Sequence, residues 1–236
     1  MAGRQVLDVP RALERGAYKH SRDEWLRSAD FAVELLCETV GRRDLEGIDV
    51  LDVGCGTKVV KVLLDKGIPV GHYTGVDAAA DVTDWLSATV ADPRFDFCHL
   101  DARNELYNPD GVPLESFERL PVGDRSYDLV CLFSVFTHLD PGDFRSMLRL
   151  LHGHAKPGAK LLFSLYLTRP DGGGIYLGPG DSPPGARFVD ELSEMPLGVA
   201  RYDEDYALEL IAESGWKIES LNPPSRYIQH YVVARP

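Results

Sequence analysis

The stretch Val50-Leu51-Asp52-Val53-Gly54-Cys55-Gly56-Thr57-Lys58 decides the architecture. A short apolar run ends in two glycines, and a helical pattern starts at Lys58. Strand, glycine turn and helix in direct succession open a βαβ unit, with glycines where the backbone must bend sharply and where a ligand can approach main-chain N–H groups without a Cβ in the way. A dinucleotide fingerprint needs a further glycine at position 59, where Val59 stands, which counts against a pyrophosphate ligand. Asp52, one residue before the end of the strand, also suits a cationic ligand group better than a phosphate.

Upstream, Ser21-x-x-Glu24 is a capping box for a helix to about Val40, with Trp25, Ala29, Ala32, Leu36 and Val40 along one face. Downstream, apolar runs predict strands at 72–76, 95–100, 127–133, 159–167, 216–221 and 227–234 besides 49–53. Helices are expected at 58–66 (stopped by Gly67), at 81–90 (capped by Asp81), after the Asp140-Pro141 start, and from Asp203 to Ser214. The alternation predicts an α/β, Rossmann-like doubly wound sheet of seven strands. It is mostly parallel, with one antiparallel strand near the C-terminus because no helix separates the last two strands. Residues 1–236 read as a single domain, with two segments that break the alternation, 103–125 and 168–202. Long connections of this kind inside compact domains are usually functional.

The formal charge of −12 repels phosphate backbones and anionic headgroups, so neither nucleic acid nor a membrane surface is an expected partner. No apolar run approaches the roughly 18 residues of a membrane span, and the first residues lack the apolar core of a secretory signal. Cys37, Cys55, Cys98 and Cys131 show no metal-binding spacing and read as free thiols, which points to a reduced, cytoplasmic compartment.

Two further acids fall at strand ends. Asp77 lies 21 residues after Gly56, a place from which a carboxylate accepts hydrogen bonds from ribose hydroxyls, and Asp101 ends the third strand ahead of Ala102. Three acids at successive strand ends around one glycine turn describe a site for a neutral or cationic nucleoside. Through VLDVGCG, YTGVD, HLDA, SYDLVCLFSVFTHL, AKPGAKLLFSLYL and HYVVAR, in that order across residues 49–235, the chain resembles the class I S-adenosylmethionine-dependent methyltransferases. The resemblance implies S-adenosyl-L-methionine as cofactor, with Asp52, Gly54 and Gly56 at its methionine end, Asp77 on the ribose, Asp101 and the Ala102 N–H on the adenine, and the Phe133 carbonyl on the amino group. It also implies that residues 1–47 form a helical lid with Tyr18 as a contact, and that 103–125 and 168–202 build the acceptor pocket and cap. Lys58 departs from the family, which often has a third glycine there; its side chain is expected to cap the helix or lean towards the cofactor carboxylate.

Open α/β sheets bind ligands beyond the carboxyl ends of their strands, which places 134–140 beside the transferred methyl group. A hydroxyl is a poor nucleophile until a base removes its proton, and a neutral imidazole suits that task, so His138 is the candidate base. Asp140 or Asp143 is its expected orienting carboxylate. Ser134, Tyr166, Tyr202 and His230 are candidate acceptor contacts, and no metal site is assigned. The expected activity is methylation of a hydroxyl on a small polar molecule, a sugar or oligosaccharide, and the chain also resembles the bacterial sugar O-methyltransferases. N- or O-methylation of an aromatic natural product, or a catalytically silent cofactor-binding regulator, are the competing readings. The oligomeric state is left open.

Overall fold

The computed structural model describes residues 5–15, 21–168, 185–190, 195–223 and 229–236. Its backbone is a sheet of β1 (Leu45–Val53), β2 (Val70–Asp77), β3 (Phe95–His99), β4 (Tyr127–Leu132) and β5 (Ala155–Thr168), all parallel, in the order β3-β2-β1-β4-β5. Near the C-terminus, β9 (His230–Arg235) runs antiparallel to β5 and to β8 (Lys217–Asn222). The expected seven-stranded sheet with one antiparallel strand is therefore present. Two short strands add to it: β6 (Phe188–Asp190) pairs with β7 (Ala200–Asp203), and β7 lies parallel to the outer end of β5, Tyr166–Thr168. The 168–202 connection thus carries sheet structure that its glycine-rich composition conceals.

Helices α1 (Arg22–Thr39), α2 (Lys58–Lys66) and α3 (Ala80–Thr89) share one apolar cluster with Val50, Tyr73, Leu129 and Leu162 of the sheet. The opposite cluster gathers α4 (Pro141–His152) and α5 (Glu204–Glu213) on Leu51, Val76, Val130 and Phe163. Alternate residues of the strands feed the two clusters, the expected result of a pleated sheet covered on both faces.

Local chemistry explains the helix ends. Ser21 and Glu24 complete both halves of the capping box of α1, worth about 1 kcal/mol. Gly67 closes α2 in the left-handed region at φ 63°. Asp140 accepts from the N–H groups of Gly142 and Asp143 and starts α4, with Pro141 at its first position; Asp203 caps α5 through Tyr206 N–H. The expected cap of α3 is wrong. That helix begins at Ala80 with Ala79 as N-cap, and Asp81 lies in its first turn, bound to Arg15 at 2.8 Å. No side chain caps that helix; Asp77 instead forms a turn ahead of it, accepting the Ala79 N–H at 2.9 Å.

The segment 5–15 is stitched to the body rather than loosely laid on it. Leu7 and Val9 are buried, Leu7 N–H donates to Asp65, and Lys61 Nζ donates to the Leu7 carbonyl at 2.7 Å. It ends near the glycine turn, where Thr57 Oγ1 donates to the Leu13 carbonyl and the Trp25 indole N–H to that of Arg15.

Candidate active site

Parallel order places the carboxyl ends of β1, β2, β3 and β4 side by side along one edge of the sheet. The first of these ends is the glycine turn. Gly54 and Cys55 both donate to the Val76 carbonyl, at 2.7 and 3.1 Å, and Gly56 N–H donates to Asp77 Oδ2 at 2.8 Å. Gly54 sits at φ 70° and Gly56 at φ 47°. A Cβ on Gly54 would fall 2.4 Å from Val135 Cγ2, so the turn and the loop after β4 are packed against each other through the missing side chain. A Cβ on Gly56 meets nothing within 4 Å, and its backbone faces open space.

The three acids occupy different environments. Asp77 receives one main-chain N–H on each carboxylate oxygen, from Gly56 and Ala79, and each oxygen keeps lone-pair capacity for a further donor. Burial raises its pKa despite those bonds and the nearby Arg15. Asp101 is exposed at the end of the third strand, steadied by Asn108 Nδ2 at 2.9 Å. The adjoining Ala102 N–H, expected to face a ligand base, donates instead to the Leu100 carbonyl at 2.6 Å. Asp52 is only 1% exposed, beneath the turn, with Tyr73 OH donating to its Oδ2 at 2.6 Å. It shapes the underside of the turn and offers no solvent-facing oxygen to a ligand.

Burial pushes the Asp52 carboxyl up to about 7 from 3.8, opposed by the Tyr73 hydroxyl. A raised folded-state pKa gives stability that is full below the unfolded value and is lost as pH rises through the folded one. Wild-type stability should therefore carry a declining component between about pH 4 and pH 7. Asp52→Asn keeps an acceptor for Tyr73 and should remove that decline, which urea unfolding across the same range measures. An unchanged pH slope would contradict it.

Beyond β4 the chain turns through Ser134, a non-glycine residue at φ 59°, and a single 3₁₀ turn, Phe136–His138. His138 Nδ1 lies 3.0 Å from the Leu197 carbonyl. A carbonyl only accepts, so Nδ1 carries the ring proton and Nε2 is the basic nitrogen of the neutral ring. Leu197 is itself at φ 55°, with its N–H donating to Asp190 Oδ2 at 2.9 Å. Two left-handed non-glycine residues thus bracket His138, and strain of this kind gathers at working sites. Tyr107, from the first insertion, meets His138 edge-on at 6.2 Å, and Arg15 lies over the Tyr107 ring at 5.3 Å. The amino-terminal segment, both insertions and the loop after β4 therefore converge here.

Asp140, one of the two carboxylates expected to orient His138, instead caps α4 with its Oδ1, and the Leu197 carbonyl accepts the hydrogen bond from His138 Nδ1–H. Asp143 is pushed up to about 6 by burial and by Asp140 and Glu115. Tyr202 has no exposed surface. It packs between Phe144 and Phe188 and donates to the Leu139 carbonyl at 2.6 Å, which makes it part of the core beneath the site and not a surface for an acceptor. His230 is likewise buried, opposite Leu165 on β9. Ser134 and Tyr166, by contrast, are brought together by Gln229, at 2.9 and 3.3 Å. Phe133 is half-buried at the end of β4. Tyr18 lies outside the described residues.

The chain matches a methyltransferase-domain family over residues 25–202, three quarters of its length. It belongs to that methyltransferase family. The resemblance to the class I S-adenosylmethionine-dependent enzymes is borne out. Solved structures share the fold: an S-adenosylmethionine-dependent methyltransferase from Mesorhizobium loti (18% identity, 88% of this chain and 100% of that one, TM-score 0.58); magnesium protoporphyrin IX methyltransferase from Synechocystis with bound SAH (17% identity, 98% and 89%, TM-score 0.57); and the glycopeptide N-methyltransferase MtfA complexed with sinefungin (18% identity, 87% and 92%, TM-score 0.57).

The residues of this methyltransferase fit a nucleoside cofactor at the turn: the Gly56 backbone faces open space, and Asp77 stands beside it with unused lone pairs. Lys58, where the family often has a third glycine, is the first residue of α2, and its ammonium carries no acceptor with which to cap the helix N–H groups. Its ammonium lies 6.0 Å above the Trp25 ring, and burial lowers its pKa to about 8. Neither the Leu197 carbonyl nor Gln229 was legible beforehand, since their contacts join residues 59 to 95 positions apart. No local pattern marks them.

Proposed function

We propose that this methyltransferase transfers the methyl group of S-adenosyl-L-methionine to a hydroxyl of a small polar acceptor, a sugar or oligosaccharide, with His138 as general base. The single observation that carries the base assignment is the Nδ1–Leu197 carbonyl bond, which fixes the ring proton on Nδ1 and makes Nε2 the basic nitrogen of the neutral ring. Bound at the glycine turn, S-adenosylmethionine supplies an electrophilic methyl on a sulfonium. Gly54, Gly56 and Asp77 would hold it there, Asp101 and Phe133 lie at the flanking strand ends, and Ser134 and Tyr166 would face the acceptor. His138 Nε2 takes the proton of the acceptor hydroxyl, and the insertions exclude water; a positioned base of this kind contributes about 10²–10⁴-fold. The strongly acidic surface and the polar hydroxyl lining of the site support an uncharged, hydroxyl-rich acceptor.

The test is incubation with S-adenosylmethionine and a panel of sugars, aglycones and amines, read by mass spectrometry for a gain of one methylene. Methylated sugar supports the reading; methylation confined to aglycones or amines overturns the acceptor assignment. Cofactor placement has its own check. Asp77→Ala should weaken S-adenosylhomocysteine binding by roughly 1–3 kcal/mol, because it removes charge-assisted hydrogen bonds and frees the Gly56 N–H it pins. Calorimetry on the folded variant giving a wild-type dissociation constant would reduce Asp77 to a turn residue.

A further inference from the structure

Lys58 is placed against its own electrostatic interest. It opens α2, where the positive end of the helix dipole disfavours a cation. No side chain caps that end, because Thr57 spends its hydroxyl on the Leu13 carbonyl. The lysine is half-buried, and the lowered pKa is the response of an ammonium that has lost water. It has gained no anion in return: among the described residues it makes no hydrogen bond or ion pair, and its ammonium meets only the face of Trp25. The cations around it are satisfied. Lys61 and Lys66 of the same helix pair with Asp65 and Asp30 at 2.6 and 2.8 Å. Arg11 and Arg22 share the buried Glu14, and Arg15 binds both oxygens of Asp81. A half-buried cation without a counter-charge is costly, so Lys58 marks a place for an incoming negative group. Its surroundings identify the group. Lys58 follows Gly56, whose backbone faces open space, by two residues. Asp77 pins the Gly56 N–H on the β2 side of the turn, whereas the Lys58 ammonium reaches Trp25 on the α1 side. The Trp25 indole N–H is held by the Arg15 carbonyl, which fixes the ring beside the end of segment 5–15.

We propose that Lys58 is the counter-charge for the carboxylate of S-adenosyl-L-methionine, so that tight binding requires the amino-acid end of the cofactor and not the nucleoside alone. The proposal rests on the cofactor placement at the glycine turn given above. A cofactor with its ribose at Asp77 extends its amino-acid end across the turn towards α1. A glycine at position 58 would offer that carboxylate main-chain N–H groups only. The lysine adds a full charge, and the carboxylate relieves the strain of its burial.

The experiment is calorimetry on the full chain with S-adenosylhomocysteine and with its decarboxylated analogue, S-adenosyl-3-thiopropylamine, which lacks only the carboxylate. The wild type should prefer S-adenosylhomocysteine by about tenfold or more. Lys58→Met keeps an apolar stem on Trp25 and removes the charge. It should weaken S-adenosylhomocysteine about tenfold and leave the analogue within about threefold, so that the preference disappears. Lys58→Arg keeps a charge and should retain a preference of at least about threefold. A lysine that serves only the packing of α1 on α2 makes a different forecast: Lys58→Met would change the melting temperature and move both affinities together or neither. Lys58→Gln serves the same comparison if Lys58→Met does not fold. The proposal is overturned if the wild type binds the two ligands equally, if the preference survives in the folded uncharged variant, or if Lys58→Arg loses it as fully as Lys58→Met. Failure of both ligands to bind the wild type would instead remove the cofactor placement on which the proposal rests, and the proposal with it.

Discussion

His138→Ala should bind S-adenosylhomocysteine nearly as the wild type does and turn over about 10²-fold more slowly or worse, the usual weight of a positioned base. The proposed cofactor contacts lie at the glycine turn and at Asp77, whereas His138 is tied to Leu197 on the proposed acceptor side. A purely structural His138 makes a different forecast, because removing its bond to Leu197 and its edge contact with Tyr107 would then cost stability and leave turnover per folded molecule intact. Melting temperature and saturated rate should be measured on one preparation. A variant that melts early yet turns over within about threefold of wild type would take His138 out of the mechanism. His138→Gln refines the test: a side-chain amide can still donate to the Leu197 carbonyl, but it is no base, so it should restore stability without restoring rate.

Gly54→Ala should be strongly damaging for a change of a single methyl group. Its φ of 70° costs an alanine about 1–2 kcal/mol, and the new Cβ would lie 2.4 Å from Val135 Cγ2, an overpacking of about 1–3 kcal/mol more. A total of roughly 2–5 kcal/mol is a large part of the stability of a domain this size. Cofactor affinity should fall with it, since the strain is relieved only by moving the turn or the loop after β4. The double variant Gly54→Ala/Val135→Ala separates the two contributions. Removing the Val135 side chain should recover the clash and leave the left-handed cost, so urea unfolding should place the double variant between Gly54→Ala and Val135→Ala. A Gly54→Ala protein with wild-type stability and binding would show that neither constraint operates.

Both predictions depend on contacts between segments far apart in the chain, and that marks the limit of what was legible in advance. The sheet could be read because its determinants are local. Apolar runs of strand length, the capping box at Ser21 and Glu24, the Gly67 stop and the Asp140-Pro141 start each act within a few residues. The antiparallel last strand followed from the absence of a helix before it, and Gly54, Gly56 and Asp77 followed from their order around one turn. Asp81 misled because any acid near a helix start resembles a cap, whereas α3 begins one residue earlier, at Ala80, with no side-chain cap. Tyr202 misled because an aromatic residue beside an insertion reads alike whether it faces solvent or core, and only the packing of Phe144 and Phe188 decides which.

The sequence by itself determined the succession of strands and helices along the chain, the parallel character of the sheet, the glycine turn and several of the residues that crowd the carboxyl edge. Tertiary structure alone decided which of them act together. Asp52 is shut beneath the turn because β2 and β4 close over both sides of β1, placing Gly75 and Cys131 beside it. His138 takes its proton partner from Leu197 and not from Asp140, and Ser134 meets Tyr166 through Gln229, because the folded sheet brings chain segments 59 and 95 residues apart within hydrogen-bond reach. A hydrogen bond is a matter of about 3 Å in space, and separation along the chain carries no information about that distance once the loop is closed.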